Sequence, residues 1–467
     1  MMSNQYRQHP LMIFYEVIDS IKSFLFPIIL VLGLQIMGEG RFSIGYLLTP
    51  LGFAGLSFLI GIFRWIFYTY SFEEDRLIVR SGIFVKKERV LKKARVQSVN
   101  LEKGILHRIL SLSSVHIETA GSVSEAEFSM SAVKRDAAHR LKQFFEAEVS
   151  EDSENQYDYR YKASYNILWK AALTSGSIGF ILSVLAFFFS QVFWYLPDRV
   201  TDALYGWFFQ SGIGVIVMLG AFLVLIAWFV SVIQYMVRFG EFTLMKRSDE
   251  ITIHRGLIKQ KALTFKRHRV QSVLFVEGLL RQPFKYLTID VDIAGGVNYR
   301  DQARTSLYPL VKSSKAHNYV STLLNKTLAK DTLEPLDKKA CRRYLFRAAI
   351  IFVLPIGLSF INIIFIYLLL FLPVSLLLGY WRYKDAGTYE DSETMILRFR
   401  WIARTTVFVE KYRIQSIEVT QTPFQKWRKF ATIHVHVLSA SGKSSYSVRD
   451  LRLAKALKLA AYSVKSI

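Results

Sequence analysis

The sequence predicts a polytopic α-helical membrane protein with three soluble α+β modules. Each module is expected to be a bent antiparallel sheet plus a C-terminal helix, placed after a transmembrane hairpin. Three observations lead there. A five-residue phrase occurs three times, as Arg95-Val96-Gln97-Ser98-Val99, Arg269-Val270-Gln271-Ser272-Val273 and Arg413-Ile414-Gln415-Ser416-Ile417. The surrounding sequence keeps register with it, and a fixed internal period decides architecture before any single residue does. Hydrophobic residues make up 52% of the chain, and they gather in three blocks, one before each copy.

Taken in order, residues 1–70 hold a polar and aromatic N-terminal segment and the first hairpin. Ser23–Met37 is apolar, Gly38-Glu39-Gly40-Arg41 is a turn, and Phe42–Phe63 is a second apolar run. Arg64, Trp65, Tyr68 and Tyr70 form the charged and aromatic border usual where a helix leaves a bilayer. Residues 71–150 are the first module and 151–166 an acidic and polar linker. Residues 167–237 carry the second hairpin, with Lys170 placed to snorkel. Residues 238–330 are the second module, 331–347 a linker, 348–381 the third hairpin and 382–467 the third module. Ala348–Tyr380 is long for one crossing of a hydrocarbon core of about 30 Å, so two short spans turning near Ser359–Asn362 fit better. One helix kinked at Pro355 or Pro373 is the alternative.

Within each module the pattern alternates as strands do. Arg76–Arg80, a turn at Ser81-Gly82 and Ile83–Val90 read as a hairpin of strands. Ile251–His254 with Gly256 and Leu257–Phe265 repeat it, and Met395–Arg398 with Thr405–Val409 do so again, with Arg400 in place of the glycine. The phrase reads as a further strand. Another lies at Val115–Thr119 and its counterparts Thr288–Val291 and Thr432–Val435. Leu141, Phe144 and Phe145, and later Leu453, Leu457, Ala460 and Ala461, mark amphipathic helices.

Lys and Arg number 60 against 37 Asp and Glu, a net charge of +23 that falls mostly in the second and third modules. The proposed outer loops hold only Arg41 and Arg199 as basic residues, so the positive-inside bias puts both termini and all three modules in the cytoplasm of a plasma-membrane protein. The single Cys341 cannot form an internal disulfide. No phosphate-cradling glycine loop, His-Glu-x-x-His helix or Gly-x-Ser-x-Gly elbow is present, so no enzyme, catalytic residue or cofactor is expected. His434-Val435-His436 lacks a second ligand pair at zinc spacing, and its counterparts His116-Ile117-Glu118 and Asp290-Val291-Asp292 read as the solvent side of a strand. No metal site is expected.

The phrase, the strand order and the aliphatic strand ending in Ala120-Gly121 or Ala294-Gly295-Gly296 resemble the bacterial pleckstrin-homology (PH) family, bPH2 or DUF304. The third copy departs from it at Arg400 and Leu438-Ser439. The resemblance implies PH-like modules on a membrane protein and a role in envelope stress or resistance to antimicrobial peptides. It also implies assembly with a smaller companion PH-like membrane protein.

Candidate contacts to anionic membrane lipid or to a partner fall in two groups. Arg95, Gln97, Arg269, Gln271, Arg413 and Gln415 recur in the phrase. An arginine fork suits an anionic headgroup. The persistence of the phrase while nearby charges change favours a structural duty. Lys86, Lys87, Lys92 and Lys93, with Lys259, Lys261, Lys266 and Arg267, form a basic run. It is either a lysine-guarded strand edge or a lipid contact. A homo-oligomer fits the repeats, and nothing points to nucleic acid. The rival class is a transporter or lipid-handling protein, which needs polar residues lining several spans.

Overall fold

The computed structural model describes residues 5–15, 17–18, 45–82, 85–119, 128–145, 157–176, 181–184, 198–210, 213–294, 304–326, 328, 333–361, 363–439 and 442–464. The first apolar run, the turn after it and residues 185–197 lie outside the described residues. The chain forms two compact units.

The first unit comprises residues 1–156, 258–264 and 296–298. One antiparallel sheet orders Gln5–Tyr6, Thr69–Glu73, Arg76–Ser81 and Lys87–Lys92. A second meander runs Val96–Lys103, Leu112–Thr119, Phe128–Lys134. Alternate residues of a strand share a face, so Leu77, Val79 and Leu91 of the first sheet pack with Val115, Ile117 and Met130 of the second. Leu141 of the helix Arg135–Phe145 closes this core. The turn glycine is needed where it stands, since Gly82 adopts φ +116° and Gly256 φ +107°.

The second unit holds the strands Tyr159–Lys162, Thr243–Arg247 and Glu250–Arg255, a seven-stranded sheet and a three-stranded sheet. The seven-stranded sheet is not one sequence copy. Arg304–Lys312, Tyr286–Ile293 and Val270–Glu277 come from the second copy. Val270–Glu277 then pairs directly with Arg404–Glu410 of the third, which continues through Thr394–Arg400 and Gly387–Glu390 to Glu334–Pro335. The three-stranded sheet, Ile414–Thr420, Phe430–Ser439 and Gly442–Arg452, packs over it with Ile433, Val435 and Val448 against Leu397 and Val407.

The phrase is not a plain strand. Its arginine closes a one-turn 3-10 helix (Lys93–Arg95, Arg267–Arg269, Lys411–Arg413), and the strand starts at the next residue. Its glutamine falls at a register break in the pairing, between Val96 and Ser98, Val270 and Ser272, and Ile414 and Ser416. The even alternation expected from arginine to serine therefore fails, because a bulge resets which face each side chain takes. Sixteen residues after each arginine, Ser111, Lys285 and Lys429 take positive φ. That twist lets each carbonyl accept from the first N–H of the C-terminal helix, at Arg135, Ser313 and Leu453.

The second apolar block and its flank yield helices Tyr165–Leu173, Asp198–Gln210 and Ile213–Phe239, and the first block yields Gly45–Ile66. Val217–Phe239 and Phe365–Asp385 are long and apolar enough to cross a membrane, and Phe222, Leu225 and Phe229 stand exposed on the former. The third block doubles back. Ser375 Oγ donates to Ala348 O at 2.9 Å, and Gly379 faces the Ala348 methyl, so helices Lys338–Ile350 and Leu372–Asp385 lie side by side.

The Asp290 and Asp292 positions, expected to face solvent, turn inward. Asp292 is fully buried, and Ser272 Oγ donates to it at 3.0 Å; the Tyr446 hydroxyl donates to the same oxygen. Burial pushes the Asp292 carboxyl up to about 6, with Arg304 and the hydrogen bonds opposing. Folding thus raises this pKa from its ordinary value near ~3.9. The stabilising contribution is complete below about pH 4 and is lost as pH rises through about 6. Asp292→Asn is expected to flatten the pH dependence of thermal unfolding of the full chain in detergent across that window.

Candidate functional site

The last strand of every module carries an irregularity opposite its neighbour: between Ser113 and Val115, Leu287 and Ile289, and Ala431 and Ile433 on the partner strand. The bulged residues are Ser131-Ala132, Pro309-Leu310 and Arg449-Asp450. A bulge leaves backbone groups out of the ladder, and buried ones need other partners. In each copy a buried polar side chain lies beside this bulge, and it is always the twelfth residue after the phrase arginine: His107, Arg281 or Gln425.

In the first copy His107 Nε2 donates to Ser131 O at 2.8 Å. Its Nδ1 takes the Tyr15 hydroxyl at 2.9 Å and the Gly104 N–H at 3.3 Å, which together fix the Nε2–H tautomer. Tyr15 also stacks on the imidazole at 4.8 Å. Residues 11–15 are helical and precede the first apolar run. Their Met12 is buried with Leu112 and Ala132, and Trp65, near the end of Gly45–Ile66, donates to Gln8 O at 2.8 Å.

In the second copy Arg281 replaces the imidazole and reaches further. Its guanidinium donates to Thr288 Oγ1 and, at 3.4 Å, to Pro309 O. Its other nitrogens donate to Ala171 O at 3.0 Å and Thr174 Oγ1 at 3.2 Å, at the end of Tyr165–Leu173. The Tyr235 hydroxyl, on the candidate span, donates to the same Pro309 O. Trp228 Nε1 donates to Leu173 O at 3.1 Å, and the Ser175 and Ser231 hydroxyls meet at 3.0 Å.

The third copy divides the task. Gln425 Nε2 donates to Thr432 Oγ1 and to Asp450 Oδ1, both at 3.0 Å. Asp450 is fully buried at φ +56° and pairs with Arg343 at 2.9 Å and with Arg347, both on Lys338–Ile350. The Tyr344 hydroxyl donates to Arg449 O at 3.1 Å, and burial pushes its pKa up to about 12. Three copies thus use three chemistries at one position for one geometric task. The bulged last strand of a module is fastened to the helix that leads into its apolar block.

The phrase residues are placed elsewhere. Arg413 is largely buried, lies over the Tyr412 ring and faces Glu410 at 3.5 Å. Arg269 is half-buried, and its carbonyl accepts from Ala294 N–H and from Gln271 Nε2 at 3.1 Å. Gln415 is exposed, and the side chains of Arg95 and Gln97 lie outside the described residues. The basic run divides. Lys86, Lys87, Lys92 and Lys266 are exposed, while Lys93 and Lys261 are half-buried. Lys259 pairs with buried Glu102, and Arg267 pairs with Asp249 at 3.0 Å. His434 Nε2 meets Thr420 Oγ1 at 3.1 Å, and burial lowers the His436 pKa. Among the described residues no group of three His, Cys, Asp or Glu is placed to hold a metal ion.

Comparison with known proteins agrees with this repeating unit. The sequence profile of the bacterial PH domain matches residues 24–149, 179–327 and 348–465. The chain belongs to the bacterial PH domain family. It is similar to the UPF0699 transmembrane protein YdbT of Bacillus subtilis (strain 168), at 29% identity over 481 residues, covering 97% of this chain and 96% of that one. Each match of the bacterial PH profile starts at or inside an apolar block, so the family's repeating unit takes in membrane-side sequence as well as the sheets.

Removing either side of the fastening leaves buried polar groups without partners, which costs about 1–3 kcal/mol for a neutral group and about 3–5 for one member of a buried ion pair. Arg281→Ala and Asp450→Asn are each expected to lower the melting temperature of the detergent-solubilised chain. They are also expected to speed proteolytic cleavage beside Tyr165–Leu173 and Lys338–Ile350 respectively. Lys315→Ala, on an exposed helix surface, should change neither.

Proposed function

We propose that the protein is a non-enzymatic bacterial membrane scaffold in which three hairpins of spans hold three PH modules on the cytoplasmic face of the plasma membrane. The observation that carries this reading is the fastening repeated at His107, Arg281 and Gln425. In every copy the buried polar group beside the last strand is engaged with the protein's own backbone and side chains, and the membrane-side helix joins it. An enzyme or ligand pocket would leave such groups facing a cavity.

The scarcity of basic residues in the proposed outer loops supports the cytoplasmic placement. Exposed Lys86, Lys87, Lys92 and Lys266 support contact with anionic headgroups, each worth about 1 kcal/mol when held near the surface. The physiological setting of this reading is envelope stress or resistance to antimicrobial peptides, together with a smaller PH-type membrane partner.

Survival against pore-forming peptides and transport in reconstituted vesicles test the two halves of this proposal. A deletion strain is expected to be hypersensitive, and the full chain expressed with its genomic neighbours should restore survival. Purified chain in vesicles should move neither labelled lipid nor labelled peptide. Ordinary survival of the deletion strain removes the resistance role, and flux in the vesicles replaces scaffold by transporter.

A further inference from the structure

Two pairings between successive copies obey one register. Glu277, eight residues after its phrase arginine, lies opposite Arg404, nine before the next one, and Val276 lies opposite Thr405. Lys103 lies opposite Gln260 and Glu102 opposite Lys261, which are the same offsets from Arg95 and Arg269. Each copy therefore offers two complementary edges: the strand after its phrase and the strand before it. In a chain of three copies one of each is left over. Among the described residues no strand pairs with the outer side of Lys87–Lys92, nor with the outer side of Ile414–Thr420.

Exposure at these two edges has the signature of a missing neighbour. Val90 is 47% exposed, whereas its counterpart in the third copy, Phe408, is 3% exposed against Val273. Gln415, Ser416 and Glu418 are exposed, whereas Ser272 and Leu274 at the matching positions of the second copy are buried. Lysine on the incoming edge does not prevent the union. Lys259, one residue before the incoming strand, meets Glu102, and Arg404 Nε, at the start of its own, meets Glu277 at 3.0 Å, so in both internal pairings a basic residue at the head of the incoming strand answers an acid on the phrase strand.

We infer that the Ile414–Thr420 edge of one chain adds to the Lys87–Lys92 edge of a second copy, head to tail, in the register used twice inside the chain. That register sets Ile417 opposite Val90, Glu418 opposite Arg89 and Thr420 opposite Lys87. Such a contact is heterologous, so it makes rings if the rotation closes and rows if it does not. One strand pair of this length is weak in solution. Confinement to a membrane raises the effective concentration of the edges and lets a weak contact assemble.

Cysteine pairs read the register directly. In a Cys341→Ser background, Val90→Cys and Ile417→Cys are placed on separate full-length chains with tags of different size, co-expressed and oxidised in native membranes. A second pair uses Arg89→Cys and Glu418→Cys, because adjacent antiparallel pairs alternate between close and wide spacing and one of the two suits a disulfide. The expected result is a mixed-tag, disulfide-linked dimer for at least one pair, and at least tenfold less for Val90→Cys with Thr420→Cys, which is out of register. Ile417→Pro on the partner chain should abolish the Arg89–Glu418 product. If none of these chains cross-links while each cysteine still reacts with a maleimide, the edges do not meet another copy and the inference fails. Equal cross-linking in and out of register overturns it as well, since that marks random collision.

Discussion

A carbonyl without a strand partner is the constraint on which the rest of this architecture depends. The bulge in each module's last strand removes Ser131 O, Pro309 O and Arg449 O from the ladder, and Pro309 lies among buried residues. A proline is tolerated at position 309 for the same reason, because its missing N–H has no ladder bond to lose there. The donors that satisfy these oxygens come from two directions: a side chain within the module and, through Tyr235, Tyr344 or the Tyr15–His107 pair, the helices bordering the apolar blocks. Module and membrane-side helix therefore complete each other's hydrogen bonding, so neither is satisfied alone.

Much of the fold was legible because it is written in periodicity. Three copies, alternating strands, a closing amphipathic helix and a glycine that must twist at Gly82 and Gly256 all leave marks in the sequence. The apolar blocks are equally plain at Gly45–Ile66 and Ile213–Phe239. What stayed hidden is geometric. Ser111, Lys285 and Lys429 adopt a left-handed conformation without glycine, since a hydrogen bond to the following helix holds them there. The bulge at the phrase glutamine replaces the simple alternation that Arg-Val-Gln-Ser suggests. Asp292 looked solvent-facing because polarity usually means water, and here it means Ser272, Tyr446 and Arg304.

The fastening site was hidden for a different reason. His107, Arg281 and Gln425 share a position but no chemical type, so no motif search joins them. Counting twelve residues from each arginine and asking for a polar side chain in an otherwise apolar-to-helical stretch would have found them. The phrase drew attention by its identity, yet its identity serves local backbone shape: a single 3-10 turn followed by a bulge. Identity across copies marked a constraint on the chain, whereas variation at a fixed place marked the junction with the membrane segment.

Strand exchange between neighbours also reorders what counts as a domain. Three sequence modules do not give three closed sandwiches, because the sheet of the third copy continues into Val270–Glu277 of the second, and Leu274 belongs to the third copy's core. The residues on the phrase strands record which union is permanent. Val270–Glu277 presents Val273, Leu274 and Phe275, all buried, and keeps the buried Glu277 against a partly exposed Arg404. Exposing that strand would uncover apolar surface and a charge whose partner is gone, so the second and third copies fold together. Ile414–Thr420 keeps the same shape but carries Gln415, Ser416 and Glu418 where its edge meets solvent. An edge that is stable when wet and keeps the register of the internal pairings suits the proposed contact with a second copy. Gln415 and Ser416 are the same residues as Gln271 and Ser272, so the substitution that separates the wet edge from the buried one is Glu418 in the place of Leu274.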